Sequence, residues 1–145
     1  MAGGHDNALC GGAEGDLLIG GAGRDSLSGD AGNDTLFGGE GADTMAGGVG
    51  DDLNYFIEAQ NHIIEFSGGG QDTIITSTDI TMDNNVEVLM IADGVSGLSL
   101  VRGANGSVMI GNGLNHQFQG GAGDDVILAG GAIRPDITGL WNHWL

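Results

Sequence analysis

The sequence predicts an all-β chain: a solenoid of short parallel strands, interrupted by a short non-repeat β insertion and closed by a C-terminal cap. Three observations predict it. A nine-residue unit recurs with an aspartate and an apolar residue in phase. Glycine takes 31 of the 145 residues, which is roughly three times its usual share and disfavours helices. No segment sustains a helical period of apolar residues.

The elements follow from the nine-residue frame set on Gly20. Its units are AGGHDNALC from Ala2, GGAEGDLLI from Gly11, GGAGRDSLS from Gly20, GDAGNDTLF from Gly29, GGEGADTMA from Gly38 and GGVGDDLNY from Gly47. The sixth position reads Asn7, Asp16, Asp25, Asp34, Asp43 and Asp52, and the eighth reads Leu9, Leu18, Leu27, Leu36 and Met45. In the last unit Asn54 stands where the hydrophobe belongs, which we read as the end of the regular stack. FIEAQNHIIEF, Phe56 to Phe66, is short and apolar; SGGGQDTII then returns to the pattern with Asp72 at the acidic position. Val86, Val88 and Met90 alternate like a half-buried strand, and Gly97 to Val101 is a further strand candidate. Degraded units resume at Arg102, with Ser107, His116 and Asp125 at the acidic position and Met109, Phe118 and Ile127 at the apolar one. The chain thus divides, as one module over 1–145, into a nonapeptide stack over 2–55, a β-rich insertion over 56–101, degenerate repeats over 102–131 and a cap or tail over 132–145 that holds Trp141 and Trp144.

The physics of one unit accounts for its composition. The first six positions must turn, and glycine adopts positive φ without a side-chain penalty. The last three, as in DSLS or DTLF, suit a short strand with one buried side chain. Two units make a coil of eighteen residues, and stacked coils give two parallel sheets with the leucines inside. One apolar residue per unit contributes ~1.5–3 kcal/mol when fully buried. Ordering nine backbones costs ~1–2 kcal/mol each. Another species must therefore bind the folded state, and aspartates with free turn carbonyls suit a hard dication with oxygen ligands. Thiolates are absent from the turns and imidazoles few, which argues against zinc or copper.

Charge narrows the partners. The formal net charge is -17, with three arginines and no lysine. Such a chain repels nucleic acid and anionic membranes and attracts cations. No apolar run approaches the ~20 residues of a membrane span. Cys10 is the only cysteine, so no intramolecular disulfide forms, and it is expected to pack as a small apolar group. MAGGHDNALC lacks the basic start and apolar stretch of a secretory signal, and a start inside a repeat suggests an excised module. The histidines are scattered and no H-E-x-x-H or G-x-S-x-G occurs, so no enzyme is expected. Glu58, Glu65 and Glu87 are read as structural rather than as a catalytic carboxylate pair.

The repeats resemble the G-G-x-G-x-D-x-U-x calcium repeats of the RTX, or hemolysin-type, family of secreted bacterial proteins. Glu65, Gly68 to Ile74 and Asn85 to Leu89 also look like the linker found between RTX blocks. The resemblance implies a right-handed parallel β-roll with calcium between turns stacked on the same side. The earlier turn then gives carbonyls from its second and fourth positions, the later turn from its first and third, and each gives its aspartate. One ion takes Gly12, Glu14 and Asp16 with Gly29, Ala31 and Asp34. A second takes Gly21, Gly23 and Asp25 with Gly38, Glu40 and Asp43. A third takes Asp30, Gly32 and Asp34 with Gly47, Val49 and Asp52. A weaker site pairs Gly3, His5 and Asn7 with Gly20, Ala22 and Asp25, while Asp72 and Asp125 are further candidates.

About three to five calcium ions are implied by this resemblance. So is a chain unfolded at cytosolic calcium, exported through a bacterial type I secretion machinery and folded outside the cell, where it serves a parent catalytic domain. Asn142-His143-Trp144-Leu145 does not match the acidic-then-apolar ending of many secretion signals in this family, so the tail is expected to cap the solenoid. A second reading is a polysaccharide-binding module, for an alginate-like polyuronate, of a secreted epimerase or adhesin; three arginines are few for a basic groove.

Overall fold

The structure, a computed structural model, describes residues 3–56, 60–81, 84–101 and 105–130, with the side chains of residues 55 and 56 excepted. The tail expected to cap the solenoid lies outside the described residues, as do Glu58 and Arg102.

Every strand pairing is parallel and there is no helix among the described residues, so the chain is a parallel β-solenoid of about six turns. The first six strands are β1 (Ala8–Gly12), β2 (Leu17–Ala22), β3 (Ser26–Ala31), β4 (Thr35–Glu40), β5 (Thr44–Val49) and β6 (Leu53–Phe56). Then come β7 (His62–Ile64), β8 (Thr73–Thr76), β9 (Ile80–Thr81), β10 (Val88–Ile91) and β11 (Ser99–Val101). The last are β12 (Val108–Ile110), β13 (Gln117–Gln119) and β14 (Val126–Leu128). All the even-numbered strands form one seven-stranded sheet in the order β14-β12-β10-β8-β6-β4-β2. The odd-numbered strands form two shorter sheets, β1-β3-β5-β7 and β13-β11-β9. Consecutive strands therefore alternate between the long sheet and a short one.

The early strands are longer than the sequence suggested. Each of β2 to β5 runs through the end of one unit and the first three positions of the next, which confines the tight turn to positions four to six. Positive φ marks both bends: Gly21 (114°), Gly39 (102°) and Gly48 (111°) at the second position, Gly23 (130°), Gly41 (129°) and Gly50 (136°) at the fourth. Asp30 holds a second-position φ of 74° without being glycine.

The expected apolar ladder is the core. Leu18, Leu27, Leu36 and Met45 are buried and continuous with Ile74, Leu89, Leu100, Met109 and Phe118, while Leu9 is partly buried at the N-terminal end. Leu18 pairs with Leu36 and Leu27 with Met45 in register, so each coil stacks its leucine on the next. The phase of β10 needs correction. In β10 the inward residues are Leu89 and Ile91, while Val88 and Met90 are half-buried; the alternation is off by one residue because Val86 is buried from the preceding turn. Asn54 pairs with Leu36 on one side and Ile74 on the other, fully buried, so the solenoid continues past it. What ends there is the even spacing, since turns repeat every 18 residues up to Asp52, and then after 20 and 15 at Asp72 and Glu87. Cys10 is exposed rather than packed in the core, with its thiol donating to Asp30 Oδ2 at 2.6 Å. That bond raises the Cys10 pKa and lowers that of Asp30.

Candidate metal centre

The sixth-position aspartates are bent inward by the glycine turns, where sequence alone would leave a carboxylate in water. Asp25, Asp34, Asp43, Asp52 and Asp72 are each no more than 3% exposed. The same bond holds one oxygen of each: the acidic-position backbone N–H of the preceding same-side turn donates to its Oδ1. Asn7 donates to Asp25 (2.8 Å), Asp16 to Asp34 (2.7 Å), Asp25 to Asp43 (2.9 Å), Asp34 to Asp52 (2.8 Å) and Asp52 to Asp72 (3.0 Å). The ladder makes two columns. One carries Asn7, Asp25 and Asp43 and ends on Asn61; the other carries Asp16, Asp34, Asp52 and Asp72 and passes to Glu87.

The second oxygens are the unusual feature. Oδ2 of Asp25, Asp34, Asp43, Asp52 and Asp72 is buried with no hydrogen-bond partner. In Asp25, Asp34, Asp43 and Asp52 it lies against the first-position glycine of its own turn, where a Cβ on Gly20, Gly29, Gly38 or Gly47 would collide with it. Turn carbonyls crowd the same seam. Those of Glu14, Gly23 and Gly32 face the fourth-position glycines Gly32, Gly41 and Gly50, and those of Gly21 and Asp30 face Gly39 and Gly48. The carbonyls of Gly29, Gly38 and Gly47 face Gly11, Gly20 and Gly29 of the preceding turns. Third-position carbonyls accept one bond each and keep a second lone pair: Glu40 accepts from Gly23 N–H (2.9 Å) and Val49 from Gly32 N–H (2.8 Å). Gly12 ends β1 level with Asp30, and Ala31 ends β3 level with Val49.

Unpaired buried carboxylates are expensive, and the pKa shifts follow. Burial, only partly offset by the backbone bond from Asp25 or Asp34, raises the pKa of Asp43 and Asp52. Asp72 is pushed up to about 6, by burial first and then by the charges of Asp52 and Glu87. A cation with oxygen preference answers this deficit, and the donor set (carboxylates and carbonyls, no thiolate) suits calcium.

The outlying candidates differ. Asn7 sends its amide N–H into the seam, to Asp25 Oδ1 at 3.1 Å and to the His5 carbonyl, and the Gly3 carbonyl accepts from Ala22 N–H at 3.3 Å. That end offers one carboxylate. Asp125 accepts from the Ser107 N–H at 3.2 Å, so its neighbouring turn supplies a hydroxyl in place of an acid.

Sequence reasoning missed one acidic residue. Glu65, read as a structural linker residue, is 4% exposed; its Oε1 accepts from Asn54 Nδ2 (2.7 Å) and Gly47 N–H (3.3 Å), and its Oε2 has no partner. Burial, then the charge of Asp72, pushes its pKa up to about 7. The signal was present as Asn54, a polar residue in a leucine slot that needed a buried partner.

Stacked parallel coils with buried carboxylates in successive turns from Asp25 to Asp72 define a β-roll built on acidic glycine turns. The family model of the RTX calcium-binding nonapeptide repeat matches in four copies, over residues 11–45, 19–53 and 110–132. The chain thus carries RTX calcium-binding nonapeptide repeats over these stretches, and the repeats together with the β-roll fold support a calcium-binding module. No curated protein and no solved structure gives a significant match.

Proposed function

We propose that the module binds calcium between same-side turns of the roll and folds by doing so, outside the cell, in the service of a longer secreted protein. The observation that carries this is the column of buried Oδ2 atoms without a partner. The ligand sets are those of the stacked turns: Gly12, Glu14 and Asp16 with Gly29, Ala31 and Asp34; Gly21, Gly23 and Asp25 with Gly38, Glu40 and Asp43; Asp30, Gly32 and Asp34 with Gly47, Val49 and Asp52. Calcium, when bound, supplies the positive charge that these oxygens lack.

The chain's own residues make folding conditional. At -17 the calcium-free chain repels itself. Folding also buries carboxylates whose second oxygens lose water and gain nothing. A ligand that binds only the folded state stabilises it by RT ln(1 + [L]/Kd), ~2.7 kcal/mol per site at a hundredfold excess. Three ions would bring the charge from -17 to about -11. Low calcium inside a cell therefore keeps the chain extended for export, and higher calcium outside closes the roll.

Circular dichroism during a calcium titration tests the coupling. At pH 8 strand signal should be absent in chelator, appear cooperatively with calcium, and fail to appear with magnesium, which demands tighter octahedral geometry. A chain already folded in chelator and unchanged by calcium would refute the proposal.

A further inference from the structure

One group of carboxylates departs from the two-per-seam arrangement. Asp52, Glu65 and Asp72 each offer an oxygen, and these atoms all lie within 4.8 Å of one another. The three residues are 2%, 4% and 1% exposed. Asp52 Oδ2, Glu65 Oε2 and Asp72 Oδ2 are all buried without a hydrogen-bond partner, as is Oδ1 of the fully buried Asn54 beside them.

The register explains how a glutamate reaches this seam. β5 pairs with β7 through Ala46 and Ile64, which sets Glu65 level with Gly47. In the preceding same-side turns that level is held by glycine, Gly29 and Gly47, and a Cβ there would strike the aspartate of its own turn. The turn from Glu65 to Asp72 is wider: Asp52 and Asp72 are 20 residues apart, against 18 for Asp34 and Asp52. The two added residues make room for a side chain at the glycine level. Asn54 Nδ2 and Gly47 N–H then hold Oε1 and leave Oε2 to the seam. Carbonyls of Gly48 and Gly50 face Gly69 and Gly70 across it, as second- and fourth-position carbonyls do in the regular turns.

We infer that Asp52, Glu65 and Asp72 form a three-carboxylate calcium site at the end of the regular roll, in which Glu65 is a direct ligand that the nonapeptide pattern does not supply. The inference rests on the reading of the stacked turns as calcium sites. Ligand charge and rigidity set calcium affinity. Three buried carboxylates, one pinned by two donors, make this the tightest site of the module, filled ahead of those that have two.

Calcium titration calorimetry, with native mass spectrometry of the full 145-residue chain to count ions, tests it. Three variants are compared with the parent: Glu65→Gln, Glu65→Asp and Asp16→Asn. Loss of a positioning partner around a metal costs about 10- to 100-fold in affinity, so loss of a ligand charge in Glu65→Gln should weaken the tightest ion by at least ~10-fold and leave the others unchanged. Glu65→Asp, which keeps the charge, should fall between Glu65→Gln and the parent. Asp16→Asn should weaken a different ion and spare the tightest. If Glu65→Gln titrates like the parent while Asp16→Asn loses affinity for an ion, Glu65 is no ligand and only this inference fails. If the parent binds no calcium, the underlying reading fails with it. Circular dichroism at saturating calcium confirms that each variant folds; should Glu65→Gln not fold, an unchanged tightest ion in Glu65→Asp overturns the inference.

Discussion

The backbone N–H of Asp34 donates to Oδ1 of Asp52 at 2.8 Å, and Asp34 itself accepts the same bond from Asp16 at 2.7 Å. Asp34 thus sits between two acidic neighbours in one column, and its own Oδ2 is buried without a partner. In the other column Asp25 has a carboxylate neighbour on one side only, because Asn7 stands on the other. Two aspartates with the same position in the repeat therefore have different electrostatic surroundings.

Asp34→Ala should weaken two calcium sites and Asp16→Ala one. At a hundredfold excess of calcium each site contributes ~2.7 kcal/mol, so the loss of stability should be about twice as large for Asp34→Ala. Calcium-dependent thermal or urea unfolding measures it. Asp34→Asn keeps an oxygen to accept from the Asp16 N–H, and so separates the lost charge from the lost ladder bond. Equal losses for Asp16→Ala and Asp34→Ala would contradict the shared role of Asp34.

Gly41 and Gly12 provide a matched pair for the turn geometry. Both have positive φ, 129° and 120°, so alanine is strained at either. A Cβ at Gly12 meets nothing within 4 Å, whereas at Gly41 it runs into the Gly23 carbonyl. Gly12→Ala should therefore cost ~1–2 kcal/mol from backbone strain alone, and Gly41→Ala clearly more, together with weaker calcium binding at the seam. Melting temperatures at saturating calcium distinguish them.

Much of this fold was legible because its physics is local and repeated. The aspartate at every ninth position and the leucine two residues later fix both the inward ladder and the turn side chains, from Leu18 to Met45 and from Asp16 to Asp52. What was not legible came from changes of spacing. The buried role of Asn54 was hidden because its partner Glu65 is set by the 18-residue register between β5 and β7, which no short motif reveals. The phase of β10 was lost because 15 residues, not 18, separate Asp72 from Glu87. Cys10 looked apolar by composition, but it lies on the outer face of β1 within reach of Asp30.

Asn54→Leu follows from that lesson. By the repeat pattern the substitution restores a hydrophobe to a core slot between Leu36 and Ile74 and should stabilise the protein. By the structure it removes the side-chain donor to the buried Glu65, leaving Oε1 with only the 3.3 Å bond from Gly47. Stranding a buried carboxylate costs ~1–3 kcal/mol or more, so we expect a net loss of stability in the calcium-bound protein. Denaturant unfolding of Asn54→Leu, alone and combined with Glu65→Gln, measures it; the loss should shrink in the double variant, and a stabilised Asn54→Leu single variant would contradict the Asn54–Glu65 pairing.

The raised pKa values set how the calcium-free chain responds to pH. Glu65 rises from an ordinary 4.5 to about 7 and Asp72 from 3.8 to about 6, in both cases through burial first. A folded-state pKa above the unfolded one means that folding takes up protons. The associated stability is fully present below the ordinary values and is lost as pH rises through about 6 for Asp72 and about 7 for Glu65. Calcium-free protein should therefore hold more strand structure at pH 5 than at pH 8, and the difference should shrink in Glu65→Gln. Calcium competes with the same protons, so its apparent affinity should rise from pH 5 to pH 8 and its binding should release protons. Circular dichroism in calcium-free buffer reads the first effect, and calorimetry in buffers of different ionisation heat reads the proton release. Strand content that rises with pH in the absence of calcium would show that these carboxylates are not buried together in the folded chain.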